Sequence, residues 1–252
     1  CEAVFHLGAL IPIPYSYRHP REFVTANVEG TLNVLEAARR EEPARVVHTS
    51  TSEVYGTAQR VPIDEEHPLR PQSPYAASKV GADQLALSYQ RSFGTPVVVA
   101  RPFNTYGPRQ SARAVIPTIA TQALARDVVE LGATSPTRDF LYVGDTAAGI
   151  VACSEADGVD GEVVNLGTGS EISIGGLAER ILHLTGSDVS LSLDEERLRP
   201  ADSEVERLVA DVTKARRLLD WEPRVELDEG LRQTIEWLSR SLEVYKPSLY
   251  NV

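Results

Sequence analysis

Tyr75 and Lys79 stand four residues apart in the run Tyr75-Ala76-Ala77-Ser78-Lys79. On a helix that spacing puts both side chains on one face. An ammonium beside a phenol can stabilise the phenolate and lower its pKa, and a phenol tuned this way can take a proton near neutral pH. An incidental i,i+4 pair on a surface helix would read the same. A second group lies upstream, at Thr49-Ser50-Thr51-Ser52-Glu53-Val54-Tyr55-Gly56. Hydroxyls and a carboxylate gather there at the end of an expected strand. The carboxyl ends of parallel strands are where open α/β sheets bind ligands. Such a set can bond a sugar and move its protons, or it can cap a turn.

The flanking pattern supplies elements to position both groups. Residues 3–7 are a β-branched and aromatic run, followed by Gly8-Ala9. Residues 20–40 repeat apolar and small residues (Phe23, Asn27, Gly30, Val34, Ala37) at helical spacing, with Pro20 near a first turn. Residues 45–50 read as a strand, 56–74 as a polar, Pro-rich loop, and 75–93 as a second helix stopped by Gly94. Residues 96–100 are a continuous Val run of the parallel-sheet kind. Strands alternating with helices predict a doubly wound, Rossmann-like parallel α/β sheet. After residue 103 the rhythm changes. Short strands at 128–131, 140–143 and 163–166 mix with helices near 114–126, 145–156 and 174–185, and closing helices follow at 211–219 and 228–240. The expected division is therefore residues 1–103 for the dinucleotide-binding sheet, rejoined near 138–156, and residues 104–252 mainly for a smaller α/β substrate lobe.

Composition narrows the function classes. Hydrophobic residues make up 42% and charged residues 24%, as in an ordinary globular domain. No apolar run approaches the roughly 18 residues that a membrane helix needs. A net charge of -11 argues against a nucleic-acid partner, because phosphate backbones are repelled. Two cysteines are too few for a disulfide framework and suit a reducing cytoplasm. The five histidines fall in no metal-ligand spacing, so no metal is expected.

Together, the Thr-Ser-Thr-Ser-Glu strand end and the Tyr-x-x-x-Lys helix resemble the extended short-chain dehydrogenase/reductases, a family of NAD(P)-dependent epimerases and dehydratases of nucleotide sugars. The resemblance continues along the chain. His6-Leu7-Gly8-Ala9 is similar to a strand end beside the nicotinamide cofactor, with Ala the commoner residue at the place of Gly8. Asn27 with Gly30-Thr31-Leu32-Asn33-Val34 is similar to a helix motif of the family. Arg101-Pro102-Phe103-Asn104-Thr105-Tyr106-Gly107-Pro108, Arg138-Asp139-Phe140-Leu141-Tyr142-Val143, Asn165-Leu166-Gly167 and Asp220-Trp221-Glu222-Pro223 follow in the family's order.

The resemblance implies roles. Thr51, Ser52, Glu53, Tyr75 and Lys79 become catalytic candidates. Leu7, Gly8, Ala9, Asn27, Thr49, Ser50 and Pro102, together with Tyr75 and Lys79, become candidates to hold NAD, with NADP left open. Asn104, Val115, Arg138 and Arg199 become candidates to hold a nucleotide-diphosphate sugar. Thr51-Ser52-Glu53 resembles the 4,6-dehydratases, above all those of the GDP-mannose and legionaminic-acid types, because a 4-epimerase has no use for the Glu. The expected activity is therefore 4,6-dehydration; the alternatives are a 4-epimerase of the UDP-glucose or UDP-N-acetylglucosamine type, or a non-catalytic cofactor-binding scaffold. Members of the family pair the helices here at 20–40 and 75–93, which implies a homodimer. The family's Gly-rich phosphate loop is not in the sequence. The chain has no methionine and opens on Cys1, so roughly 60 residues or more, two strand–helix units, are expected to precede it. The chain by itself is then expected to bind cofactor poorly and to be inactive.

Overall fold

The computed structural model describes residues 1–247. Its centre is a four-stranded parallel sheet. In chain order the elements begin with β1 (Ala3–His6), α1 (Ile13–Arg18), α2 (Pro20–Phe23), a π-helical stretch (Val24–Glu29), α3 (Gly30–Glu41), β2 (Arg45–Thr49), α4 (Pro74–Phe93) and β3 (Val97–Pro102). They continue with β4 (Asn104–Tyr106), α5 (Val115–Ala125), β5 (Val128–Leu131), β6 (Thr137–Arg138), β7 (Phe140–Tyr142), α6 (Val143–Glu155) and β8 (Val163–Leu166). The remaining elements are β9 (Ile172–Ser173), α7 (Ile174–Thr185), β10 (Ser190–Leu193), β11 (Arg207–Leu208), α8 (Thr213–Leu219), α9 (Leu227–Ser239) and α10 (Leu242–Tyr245).

Strand parity builds the two faces of the main sheet, whose order is β1-β2-β3-β8. Neighbours on a strand point to opposite sides. Val46, Val97 and Val99 pack with Leu35 and Ala38 of α3 and with Ala86, Leu87 and Tyr89 of α4. Val47, Val98 and Ala100 pack instead with Ile150 and Cys153 of α6 and with Ala215 and Leu219 of α8. Helices thus cover both faces, as the alternation along the sequence predicts. Gly149 lets α6 lie close to β8, since a Cβ there would stand 2.9 Å from the Leu166 methyls.

Three local expectations are corrected. Residues 163–166, assigned from the change of rhythm to the second lobe, are β8 and complete the main sheet beside β3, with Val99 opposite Val163 and Pro102 opposite Leu166. So short a buried strand carries no period to tell which sheet it joins. The helix expected over 20–40 is a run of three pieces with a π-helical middle, and α1 before it was not foreseen. The strand expected at 140–143 ends one residue early, and a separate short strand precedes it across a break. β6 pairs with β9 and β11, β7 pairs with β4, and Val143 already begins α6.

The break falls on Asp139, which is fully buried. Its carboxylate accepts from the Thr168 amide and hydroxyl, from the Gly169 amide and from the Ala210 amide. These bonds tie the start of the second lobe to the end of β8 and to the segment after β11. That lobe has its own core, in which Ile116, Ile119, Val129, Leu177, Ile181 and Leu231 meet between α5, β5, α7 and α9. Residues 248–252, the end of the expected substrate lobe, lie outside the described residues. Among the described residues no helix is long and apolar enough to cross a membrane. Asp139→Ala leaves the buried Ala210 amide without a partner, at about 1–3 kcal/mol for a buried group left unsatisfied, and turns the Thr168 and Gly169 donors to solvent. We expect a loss of about 1–3 kcal/mol, read from the urea midpoint; an unchanged midpoint would show that the joint does not depend on this carboxylate.

Candidate active site

The carboxyl ends of β2 and β3 and the first turns of α4 converge. Ser73 caps α4, its hydroxyl accepting from the Ala76 amide at 3.1 Å, and Pro74 starts the helix. Tyr75 is thereby fixed in the first turn, 7% exposed and packed edge-on against Phe23. Burial pushes its phenol well above the ordinary value. The Thr51 hydroxyl, hydrogen-bonded to it, acts in the opposite direction, and the Glu53 and Asp83 carboxylates push it further up.

Lys79 does not do what the spacing suggested. It shares the helix face with Tyr75, but its ammonium donates to the Thr49 carbonyl at 2.7 Å. Burial lowers its pKa, and the Asp83 carboxylate partly opposes that. The phenol's neighbour of record is Thr51, and its pKa rises where a fall was expected. The physical reason is desolvation: a buried phenolate without a facing cation is costly.

Thr51 is extended and caps a 3-10 turn, Ser52–Tyr55, accepting from the Glu53 amide at 3.3 Å. Gly56 closes the turn at φ 65°, where a Cβ would stand 2.1 Å from the Arg70 carbonyl oxygen. Glu53 therefore lies in a tight turn beyond the strand end. Its carboxylate is 8% exposed, near enough to Tyr75 to raise the phenol's pKa, and 4.0 Å from Nη1 of Arg199. Ser52 is buried beside it.

Two expected cofactor contacts are turned elsewhere. The Ser50 hydroxyl donates to Asp83 at 2.7 Å. The Asn27 amide accepts from the Leu10 amide and donates to the Leu10 carbonyl and the Ser78 hydroxyl. Asn27 thus pins the loop after β1 to α4. Leu7 and Gly8 are exposed at the end of β1, with Ala9 half-buried behind them. A Cβ on Gly8 would meet only the His6 ring, at 3.8 Å, so nothing there demands glycine. Pro102 is half-buried at the end of β3.

A dinucleotide fits this edge on one observation. The buried Lys79 ammonium gives one N–H to the Thr49 carbonyl and has others to give. A ribose diol can accept them.

The four residues expected to hold the nucleotide do meet. Asn104, Val115, Arg138 and Arg199 line one cleft of about 300 Å³, together with Pro14, Gln110, Arg113, Arg197 and Glu204. Arg138 is 5% exposed; burial lowers its pKa, with Arg199 adding to the fall and Glu53 and Glu204 opposing it. Sequence reasoning missed Arg113, Arg197 and Glu204, which lie in loops or, for Arg197, in a single 3-10 turn, with no pattern to mark them. A larger groove of about 610 Å³ along Arg216, Trp221 and Arg224 holds none of the expected site residues.

Sequence reasoning also missed Asp83, although it stands on the Tyr75–Lys79 face one turn on. It is fully buried and accepts from Arg101 Nε and Nη2 at 3.1 and 3.0 Å. It also meets His48 Nε2 at 3.1 Å. Arg101 Nη1 in turn donates to the Tyr55 hydroxyl.

A parallel sheet wound by helices on both faces, with a tyrosine and a lysine of one helix at its carboxyl edge, defines an extended short-chain dehydrogenase/reductase of the epimerase/dehydratase kind. The family model described as GDP-mannose 4,6 dehydratase matches residues 1–234, and the chain belongs to that family. It is 37% identical to a dTDP-glucose 4,6-dehydratase of Actinoplanes sp., over 94% of this chain and 73% of that one. Among solved structures, a dTDP-glucose 4,6-dehydratase from Streptomyces venezuelae with NAD bound superposes with a TM-score of 0.89 at 31% identity, covering 98% of this chain and 76% of the other. An epimerase from Methanothermobacter thermautotrophicus gives 0.91 at 30% identity, covering 98% and 74%.

The site also sets a pH dependence. Burial, then His48 and Lys79, lower the pKa of His6 to about 4, and burial lowers that of the fully buried His48. In the unfolded chain both imidazoles take protons near pH 6.5; the fold resists that. The stability they contribute is complete above pH 6.5 and is lost as pH falls toward 4. Urea midpoints are expected to drop between pH 7.5 and 4.5. His6→Gln, which keeps a donor for the Thr31 hydroxyl 2.9 Å away, is expected to flatten that drop; an equal slope in the variant would remove His6 from the account.

Proposed function

We propose that the protein is an NAD(P)-dependent nucleotide-sugar 4,6-dehydratase, which oxidises C4, removes water across C5 and C6 and returns hydride to C6. The observation that supports this above 4-epimerisation is Glu53, a buried carboxylate beside the Tyr75 phenol and close to the arginine cleft. Dehydration needs a base for the C5 proton; epimerisation at C4 has no such step. The epimerase among the structural relatives favours a 4-epimerase as the second reading. The intact Tyr75 and Lys79 argue against a non-catalytic scaffold.

In this reading Tyr75, as the phenolate that the Thr51 hydroxyl stabilises, takes the proton of the sugar 4-hydroxyl and becomes the phenol. A nicotinamide dinucleotide, NAD by our reading, supplies the hydride acceptor at C4 and the hydride donor at C6 when bound. Lys79, anchored on the Thr49 carbonyl, offers its remaining donors to the ribose. The edge formed by Leu7, Gly8, Ala9 and Pro102 would take the nicotinamide side, with Asn27 and Ser50 holding that edge in shape. Glu53 removes the C5 proton, made acidic by the 4-ketone. Ser52, or a water it orders, protonates the departing 6-hydroxyl. Asn104, Val115, Arg138 and Arg199 hold the nucleoside diphosphate, for which guanidinium forks are suited. The Thr-Ser-Glu triplet supports UDP- or GDP-linked N-acetylglucosamine, or GDP-mannose, as the sugar donor, with dTDP-glucose raised by the relatives' names.

Incubation of the full-length protein with NAD and this set of nucleotide sugars tests the reading: a 4-keto-6-deoxy product absorbs in alkali, and an epimer does not. Glu53→Gln keeps the shape and removes the base. It is expected to bind substrate but to lose turnover by about 10²–10⁴-fold, the usual worth of a positioned base, and to fail to exchange solvent deuterium into C5. Wild-type deuterium incorporation in the variant would sink the assignment.

Two further lines belong to the same proposal. The exposed Val24, Leu32 and Phe93, on the helices that the family resemblance pairs, support a homodimer. Light scattering is expected to give twice the mass of one chain at micromolar concentration, and a monomer mass would refute it. The unpaired Cys1 and Cys153 support a cytoplasmic location, which fractionation of the source cells would test: recovery with the membranes or outside the cell would overturn it.

A further inference from the structure

The cleft that takes the diphosphate in the reading above contains an anion of its own. Oε1 of Glu204 stands 3.4 Å from Nη2 of Arg138 and 3.6 Å from Nη1 of Arg199. The same oxygen accepts from the Val205 amide at 3.2 Å. One carboxylate oxygen thus bridges both arginines.

The carboxylate is held there by its backbone. The Gln72 side chain donates to the Asp202 and Glu204 carbonyls while its own carbonyl accepts from the Thr57 amide at 2.6 Å. The Ser203 hydroxyl donates to the Gln72 carbonyl and accepts from the Tyr17 hydroxyl on α1. Residues 202–204 form a strap tied on both sides of the cleft mouth. It is pinned too firmly for Glu204 to be a surface charge that happens to fall near an arginine.

The need for an anion here is independent of Glu204. Arg138 is buried and faces another guanidinium, and both circumstances make its charge costly. A carboxylate relieves that cost in the empty cleft. A phosphate, with more oxygens and more charge, relieves it better.

We propose that Glu204 is a stand-in for the substrate phosphate: its Oε1 holds the place between Arg138 and Arg199 that a phosphate oxygen takes, and the two anions exchange when a nucleoside diphosphate binds. Resting on the nucleotide-sugar reading, this makes Glu204 a determinant of affinity. It keeps the arginines pre-positioned without substrate, and it weakens the hold on substrate and on product alike. No bond is made or broken; the carboxylate swings out to solvent and the phosphate takes its donors.

Calorimetric titration of the wild-type chain, Glu204→Gln and Glu204→Asp with UDP, GDP and dTDP tests this. Glu204→Gln removes the competing charge at equal size. It is expected to tighten the binding of whichever nucleotides bind by about tenfold, the weight of one like charge removed from an anion site, and to steepen its salt dependence. Glu204→Asp keeps the charge and is expected to stay near wild type. A gain in affinity cannot come from structural damage. Equal or weaker binding by Glu204→Gln, with the wild type still binding, overturns the stand-in and leaves the nucleotide-sugar reading intact. If none of the three proteins binds any of the diphosphates, both fall.

Discussion

One buried carboxylate holds the candidate catalytic face in register. Asp83 receives Arg101 from β3, and Ser50 and His48 from β2 and its end, while itself belonging to α4. It is the point where helix and two strands are joined by charge as well as by packing. A buried carboxylate without partners is expensive, and removing one partner of such a pair is more destabilising than the pair is stabilising. The cluster therefore fixes how far α4 slides along the sheet. Tyr75 and Lys79, two turns and one turn earlier on the same face, inherit their positions from it. So does the Arg101–Tyr55 contact, which secures the turn carrying Glu53 to the core.

Legibility in the sequence followed physical range. The winding of the main sheet could be read because Val46-Val47 and Val97-Val98-Val99 are buried on both faces, and the end of α4 because Gly94 is a local signal. Glu53 was expected at the strand end, but the chain leaves the strand after Thr49 and turns from Ser52. That turn depends on Gly56 fitting against Arg70, a contact across the loop that no local pattern encodes. Ser50 and Asn27 carry motif positions, yet their polar groups serve Asp83, Leu10 and Ser78, partners distant along the chain. The destination of β8 was unreadable because four residues buried on both sides suit any sheet. Lys79 illustrates a different limit. Spacing places two side chains on one face, but which neighbour an ammonium selects depends on desolvation, and here a carbonyl at the strand end won.

Charge is distributed against the average. The chain carries -11 overall, yet one cleft gathers Arg113, Arg138, Arg197 and Arg199. A basic pocket in an acidic surface draws small anions inward while the surrounding field repels polyanions too large to enter. This agrees with a diphosphate-bearing ligand and disfavours nucleic acid by size as much as by charge.

The interrupted strand at Asp139 has a mechanical consequence. Arg138 and Phe140 belong to different sheets, and the carboxylate between them gathers amides from two further passes of the chain. Such a knot resists twisting, so the floor of the cleft cannot act as a hinge. The rim is held as well, where the Ser203 hydroxyl joins α1 to Gln72, so the groups that move to admit a ligand are side chains. A stiff floor with a held rim has little conformational entropy left to lose when the site fills, which leaves more of the contact energy for affinity.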